Sequence, residues 1–430
     1  MDHYYTAFRA MATPPRPQHA PVWLTDTFST RAMRGGVVEL PLFTLRPQWY
    51  EYYAYVGLGS PPQYVRVAFD TLSSDLSVLG FEMMRHEVYE HDKSKKYVTN
   101  NTLVRTRLPT THEYGLVLGT LSQDRATLSD DFHIDGQFFT EVLQTTEARE
   151  HFEEARVDGW LGLSRSADQQ AFPVLSLTKR ILRIVREPVV GIHFNPISTG
   201  LLSFGGVNAE LFHDNLTYVD VVPLTTPPRA GASDTVALDE YWSFRVTGLL
   251  VDGKPVQETA VGVQTSAVYT GGTAVLDVKL PMIVGPPTVV KAINDALRRG
   301  KDYVSCIHRE ESSSVNITIV FGGHGFTLTE HDIVARDANG PGCVSIFVPA
   351  RANVPKVADW YIGAPFVQAF YTALDYGDVS KSRRPARVGF ARSVQYQPPK
   401  FSAYDSLWLL LLVVVVWLIM RTISQRRQMK

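Results

Sequence analysis

The feature that most restricts how this chain can fold is a repeated arrangement of one acid and one distant glycine. Phe69-Asp70-Thr71-Leu72 is followed by Trp160-Leu161-Gly162, and Leu276-Asp277-Val278-Lys279 by Tyr361-Ile362-Gly363. The Asp-to-Gly separations are 92 and 86 residues. Each half thus carries a short apolar strand running into a carboxylate, then a far-off apolar pair and a glycine. A duplication of this kind calls for two related lobes, each supplying one acid. We expect a division near residues 200–208, with lobes at 37–208 and 209–398.

Between these landmarks, Val37-Val38-Glu39-Leu40-Pro41-Leu42, Tyr64-Val65-Arg66-Val67-Ala68-Phe69 and Phe244-Arg245-Val246-Thr247-Gly248-Leu249 alternate or run apolar, as strands do. Helical spacing shows in two places, residues 174–185 and Pro287 to Arg298, the second through Val289, Val290, Ile293 and Leu297. The body is therefore expected to be mainly β. With 430 residues, 45% of them apolar, it is large enough for two cores. Gly and Pro together number 56, close to average usage, which excludes collagen-like and low-complexity chains. A net charge of -1, with no basic cluster interleaved with aromatics, argues against a nucleic-acid partner.

Metal and cofactor chemistry finds no foothold. The two cysteines, Cys306 and Cys343, belong to no CxxC or Cys/His cluster, and their spacing fits one bridge or two buried thiols equally. The twelve histidines, including His86, His91, His308 and His331, read as satisfied surface residues rather than metal ligands. Gly322-Gly323-His324-Gly325 lacks the Lys-Ser/Thr of a phosphate loop and reads as a β-turn.

The ends of the chain speak to location. Leu407 to Met420 is an unbroken apolar run of 14 residues followed by Arg421, Arg426, Arg427 and Lys430. At 1.5 Å per residue it covers about 21 Å against a hydrocarbon core of roughly 30 Å, so a thin membrane suits it. Trp408, Trp417 and the basic tail favour a membrane span over a buried helix. We expect a linker at 399–406, a transmembrane core at 407–420 and a cytoplasmic tail at 421–430. The positive-inside tendency then puts the body in a lumen or outside the cell, as a type I protein of the secretory pathway. The sequons at Asn100, Asn215 and Asn316 lean the same way, as N-glycosylation sites. Residues 1–36, with Thr13-Pro14-Pro15-Arg16-Pro17, read as a disordered leader without the apolar region of a secretory signal; the alternatives are a missing signal, which the sequons favour, and a tail-anchored protein with its body in the cytosol.

Longer motifs sharpen the picture. Tyr52 to Gln63 includes Val56-Gly57-Leu58-Gly59-Ser60-Pro61-Pro62; Asp70-Thr71 sits within Val65 to Val78; Asp158-Gly159-Trp160-Leu161-Gly162-Leu163 follows. Ala274-Val275-Leu276-Asp277 with Gly285-Pro286, Trp360 to Gly363 and Arg387-Val388-Gly389-Phe390-Ala391 complete the series. In this order they resemble the pepsin family of aspartic proteases over roughly residues 37 to 395. The C-terminal anchor is similar in architecture to the membrane-bound memapsin, or β-secretase, branch. The resemblance implies a bilobal β fold with a central cleft and an interlobe platform of about six strands. It also implies a bridge between Cys306 and Cys343, a flap hairpin carrying Tyr114-Gly115, and a catalytic pair at Asp70 and Asp277.

That family's chemistry needs two carboxylates sharing one proton, since like charges about 3 Å apart cannot both ionise cheaply. One acts as base on a water; the other, protonated, donates to the scissile carbonyl. Here the loops depart from the family's Asp-Thr-Gly. Leu72 and Lys279 stand at the glycine positions, Val278 replaces the second threonine, and Leu280 replaces a hydroxyl residue. Thr71 is left to make the interlobe contact and Ser73 to donate to Asp70. A Cβ at a glycine position is expected to distort the loop, and an ammonium at Lys279 to remove the shared proton unless it turns to solvent.

The expected protein is a monomeric, cofactor-free homologue that binds extended polypeptide in its cleft with catalysis impaired or absent. The alternative is an active endopeptidase using Asp70 and Asp277. The anchor is tested separately: a chain truncated after Gln397 is expected in the soluble fraction on cell fractionation, and persistent membrane attachment would refute the span at 407–420.

Overall fold

The repeated acid and glycine become two parallel strand pairs with one register in the computed structural model. In the first, Gln63–Asp70 runs beside Gly159–Gly162, with Val67 opposite Gly159 and Asp70 opposite Gly162. In the second, Gly272–Asp277 runs beside Trp360–Gly363, with Ala274 opposite Trp360 and Asp277 opposite Gly363. Each glycine-ended strand then takes an antiparallel neighbour, Leu76–Leu79 in the first case and Ile283–Gly285 in the second. The structure describes residues 36–46, 51–81, 86–109, 114–145, 157–166, 175–196, 198–224, 240–259, 266–301, 303–304, 315–336, 342–351, 357–377 and 384–394.

Close approach explains the two glycines. After each acid the chain doubles back over the partner strand's end. A Cβ on Gly162 would collide with the backbone of Ser73 and Ser74, and one on Gly363 with the carbonyls of Leu280 and Met282. The spacing of acid and glycine thus records a steric requirement in each half.

These pairs sit in two large sheets. The first holds thirteen strands and includes a run of six antiparallel ones: Thr217–Asp220, Arg387–Arg392, Phe370–Asp375, Val189–His193, Gly200–Phe204 and Val38–Arg46. This run joins strands from both ends of the body, as a platform between lobes requires. From Val38–Arg46 the sheet continues through Glu51–Leu58 and Gln63–Asp70 to the free edge at Val98–Pro109. The second sheet has eight strands and contains Gly272–Asp277. The apolar positions of the strands, from Val38, Leu40 and Leu42 to Val388 and Phe390, are buried in one extended core.

Helices are few. Pro287–Arg298 matches its expected span, with proline in its first turn, Arg299 left-handed at its end (φ 51°), and Val289, Val290, Ile293 and Leu297 buried. The expected 174–185 helix is observed as Leu177–Leu182, its start fixed by Ser176 Oγ, which accepts from the Lys179 amide. Glu330–Ile333 and Ala364–Ala369 were not expected; at 4 and 6 residues they are too short to show a period. Gly322 and Gly323, both at positive φ, form the turn between Ile317–Phe321 and His324–Leu328.

Two histidines correct the surface reading. His193 is buried, and desolvation pushes its imidazole down to about 4, so it is neutral in the fold. His86 is buried with Nδ1 3.3 Å from Asp158 Oδ1. Asp158 is the centre of a buried polar cluster: it accepts from Arg66 Nε at 2.9 Å, from Arg66 Nη2 at 2.7 Å, and from the amides of Arg66 and Glu87. Burial alone would push this carboxyl up; His86 close beside it and the bonds and charge of Arg66 outweigh that and hold the group below the usual range.

Among the described residues no helix is long and apolar enough to cross a membrane. The expected span at 407–420 and the leader at 1–35 lie outside them. Replacing Asp158 by Asn takes the carboxylate charge away from the buried Arg66 guanidinium, and chemical denaturation is expected to show a loss of about 3–5 kcal/mol; a loss under 1 kcal/mol would remove the cluster from the list of what holds the first sheet together.

Candidate active site

Both acids stand at the last position of a buried strand, which is why neither reaches water freely: Asp70 is 0% and Asp277 3% exposed. Each is gripped by the amide two residues on. Leu72 N–H donates to Asp70 Oδ1 at 2.8 Å, and Lys279 N–H to Asp277 Oδ1 at 3.2 Å. These are equivalent bonds in the two halves, made at the positions where glycine was expected. Neither Leu72 nor Lys279 is among the non-glycine residues with positive φ. The expectation that a Cβ would distort the loops is therefore corrected, because the conformation taken is one that any residue adopts.

One hydroxyl joins the loops. Thr71 Oγ1 donates to the Leu276 carbonyl at 2.7 Å and accepts from the Val278 amide at 3.3 Å. Val278 has no hydroxyl to return the contact. Leu72 adds an apolar link, packing against a small cluster of Leu224, Val275 and Ala358. Ser73 Oγ accepts from the Asp75 amide at 3.0 Å, and the expected Ser73–Asp70 bond is not formed. Val278 and Leu280 are buried.

Lys279 decides the electrostatics. Its Nζ lies 2.6 Å from Asp70 Oδ2, with 12% of the lysine side chain and 1% of the aspartate side chain exposed. The ammonium turns into the site rather than to solvent. Asp277 responds to opposing influences: burial pushes it up most, the Lys279 charge pulls it down, the Asp70 charge pushes it up, and the Lys279 and Leu280 amides pull it down. Burial wins, and the carboxyl is pushed up to about 6. The arrangement therefore offers one charge-paired carboxylate and one carboxyl that is protonated in mild acid.

Other expected residues lie around these loops. Tyr114 and Gly115 begin the strand Tyr114–Ser129, paired with Val98–Pro109 as a hairpin requires, with Pro109 opposite Tyr114. The Tyr114 side chain, the Asn100 side chain and Cys306 lie outside the described residues. Cys343 is disulfide-bonded. Asn215 is exposed and Asn316 half-buried. Among the described residues no group of His, Cys, Asp and Glu could hold a metal ion. A separate cavity of about 420 Å³, lined by residues including Asn294, Arg298, Tyr303 and Phe347, has no acid among the described residues of its wall. Arg66 and His86, which hold the Asp158 motif in place, were not anticipated; an arginine amid Val65, Val67 and Phe69 was the available signal.

Comparison with known proteins agrees with this geometry. The eukaryotic aspartyl protease family matches residues 51–391. Cathepsin D of Chionodraco hamatus is 28% identical over 362 residues, covering 80% of this chain and 81% of that protein. Vacuolar aspartic protease of Candida albicans is 25% identical, covering 83% and 79%, and renin of Rattus norvegicus 27%, covering 79% of each.

The raised Asp277 value carries a stability consequence. The folded carboxyl holds its proton more tightly than the unfolded one, whose value is near 3.8. Its contribution is full below about pH 4 and is lost as pH rises through about 6. Denaturation from pH 4 to 7 is expected to show the parent losing up to about 3 kcal/mol relative to Asp277→Asn; a difference that does not change with pH would contradict this.

Proposed function

This chain belongs to the eukaryotic aspartyl protease family, and on that footing we propose that it is a pepsin-like homologue that binds extended polypeptide between its lobes while hydrolysis is suppressed. The observation that carries this reading is the 2.6 Å contact between Lys279 Nζ and Asp70 Oδ2. Peptide hydrolysis by paired carboxylates needs one of them free to take a proton from water. Here an ammonium occupies an oxygen of that group and adds a positive charge that disfavours the proton held by its neighbour. Loss of a positioned acid or base costs about 10²- to 10⁴-fold in rate, enough to leave a binding protein.

The second reading, an active endopeptidase with an Asp70/Asp277 dyad, is favoured by what the loops keep. Both amide-to-carboxylate bonds and the Thr71 crossing are present, and Asp277 is pushed up to about 6, within reach of an acid's task in an acidic compartment. The remaining parts of the proposal follow the sequence. They are lobes at 37–208 and 209–398, a Tyr114-Gly115 flap, a bridge from Cys343 to Cys306, the other cysteine of the chain, and a monomeric body. That body would be lumenal, type I and held by 407–420. The word "vacuolar" in one relative's name supports a secretory-pathway address.

The test is cleavage of a mixed-peptide library between pH 3 and 7 by the parent, Asp70→Asn, Lys279→Gly, and Lys279→Gly with Leu72→Gly. The parent is expected to match Asp70→Asn, and removal of the lysine to raise cleavage by about 10² or more. Parent cleavage that Asp70→Asn abolishes would overturn the suppressed reading, and failure of both glycine variants would clear Lys279 of the cause.

A further inference from the structure

A carboxylate taken out of water needs a charge or several donors to hold it there. Glu141 is such a group, 1% exposed in the strand Phe132–Thr145, and it draws partners from three other segments. His91 Nδ1 lies 2.7 Å from Oε1, while Ser122 Oγ donates to Oε2 at 2.8 Å and Tyr97 Oη to the same oxygen at 3.0 Å. Ser122 lies in Tyr114–Ser129, Tyr97 stands one residue before Val98–Pro109, and His91 begins the single-turn helix His91–Lys93. One buried carboxylate thus gathers the base of the 98–129 hairpin and the loop that leads into it.

Of these three partners only His91 can carry a positive charge, and that charge changes near neutral pH. Its ring stacks on Tyr97, with centres 4.7 Å apart and planes at 16°, which seats the imidazole over the base of the hairpin. The His91 side chain is 44% exposed, so a proton reaches it from solvent. Asp92, from the same turn, puts Oδ1 3.4 Å from Nε2, an exposed contact of little weight. Burial pushes the Tyr97 hydroxyl up, so it keeps its proton throughout this range. The neighbouring acids are engaged elsewhere: Asp124 accepts from Tyr89 Oη at 2.6 Å, Asp135 from Lys96 Nζ at 2.9 Å, and Glu90 from Lys93 Nζ at 2.6 Å.

We propose that His91 and Glu141 form an acid-closed clasp, which ties the loop at 86–97 to the base of the 98–129 hairpin and slackens as pH rises through neutrality. Protonated, the imidazole supplies the one positive charge that touches Glu141 among the described residues. Neutral, it retains at most a hydrogen bond, and the buried carboxylate is left to two hydroxyls. The bond to Glu141 outweighs partial burial and raises His91 above its ordinary value of 6.5. A group that holds its proton more tightly when folded contributes fully below about 6.5, and that contribution is lost as pH rises through the higher folded value. The rest of the loop is fastened by contacts that do not titrate here: the Tyr89 amide donates to the Leu79 carbonyl at 2.8 Å, and Gln63 exchanges two bonds with the Glu90 backbone at 2.9 and 3.0 Å. The clasp therefore governs a local opening around Tyr97 and the strand after it, not the whole fold. It acts on the hairpin whose second strand begins at Tyr114-Gly115, and it holds whether or not the dyad cuts.

The test is hydrogen exchange of the full-length chain, read by mass spectrometry over peptides spanning 90–99 between pH 5 and 8.5 and corrected for intrinsic exchange rates. Protection in that segment is expected to fall about two- to fivefold across the range, the size of one part-exposed ion pair. His91→Gln keeps a hydrogen-bond donor without a titrating charge, and its protection is expected to stay level with pH. A purely structural histidine gives a different result, a parent with level protection and a variant lowered equally at every pH. Level protection in the parent, or a fall that persists in His91→Gln, overturns the clasp. Should that variant fail to fold, the His91 ring of the parent decides by NMR titration: a midpoint above 6.5 supports the clasp, and one at or below 6.5 overturns it.

Discussion

The structure depends on one steric condition met twice: a strand ending in an acid must lie beside a strand ending in glycine, because the loop after the acid returns over that glycine. Gly162 and Gly363 have no room for a Cβ, and their strands fix the height at which Asp70 and Asp277 emerge. The two loops are then tied by Thr71, through bonds to the Leu276 carbonyl and the Val278 amide. Loss of the partner hydroxyl at Val278 halves this polar link. Leu72 offsets it with apolar contact to Leu224, Val275 and Ala358, a cluster that a glycine could not reach. A substitution that looks damaging in sequence therefore contributes a contact of its own.

Electrostatics at the site are settled by which group each charge touches. Asp70 has an ammonium on one oxygen and an amide on the other. Asp277 has amides and no cation in contact, so burial dominates and it is pushed up. The pair is unequal for a reason that a symmetric dyad lacks: the lysine comes from the loop of one acid and bonds to the other. Breaking a buried ion pair from one side costs about 3–5 kcal/mol, so Lys279 helps to hold the two halves together.

Much of this was legible in the sequence, and the failures share a cause. The duplication marked the residues that end the two strand pairs, though not their parallel register, and periodicity gave Pro287–Arg298 its ends. Helices of 4 and 6 residues escaped because fewer than two turns carry no period. At the site, sequence identified Asp70, Asp277 and Thr71 and raised the question of Lys279. It could not say where the lysine would point, because that is set by the distance between two loops 209 positions apart. Backbone conformation was equally hidden: the sequence shows that glycine is absent at Leu72 and Lys279, but not that neither position needs the left-handed region.

Two lysines show how little the residue type settles and how much its partner does. Lys279 is partly buried against a carboxylate, and its charge is answered within the fold. Lys179 is at least as buried, faces an aromatic ring and two arginines, and its charge is not. The first ties the loop of Asp277 to the acid of the other half. The second is pushed down to about 8 by burial and by the charges of Arg165 and Arg183, so it gives up its proton far more readily than an exposed lysine does.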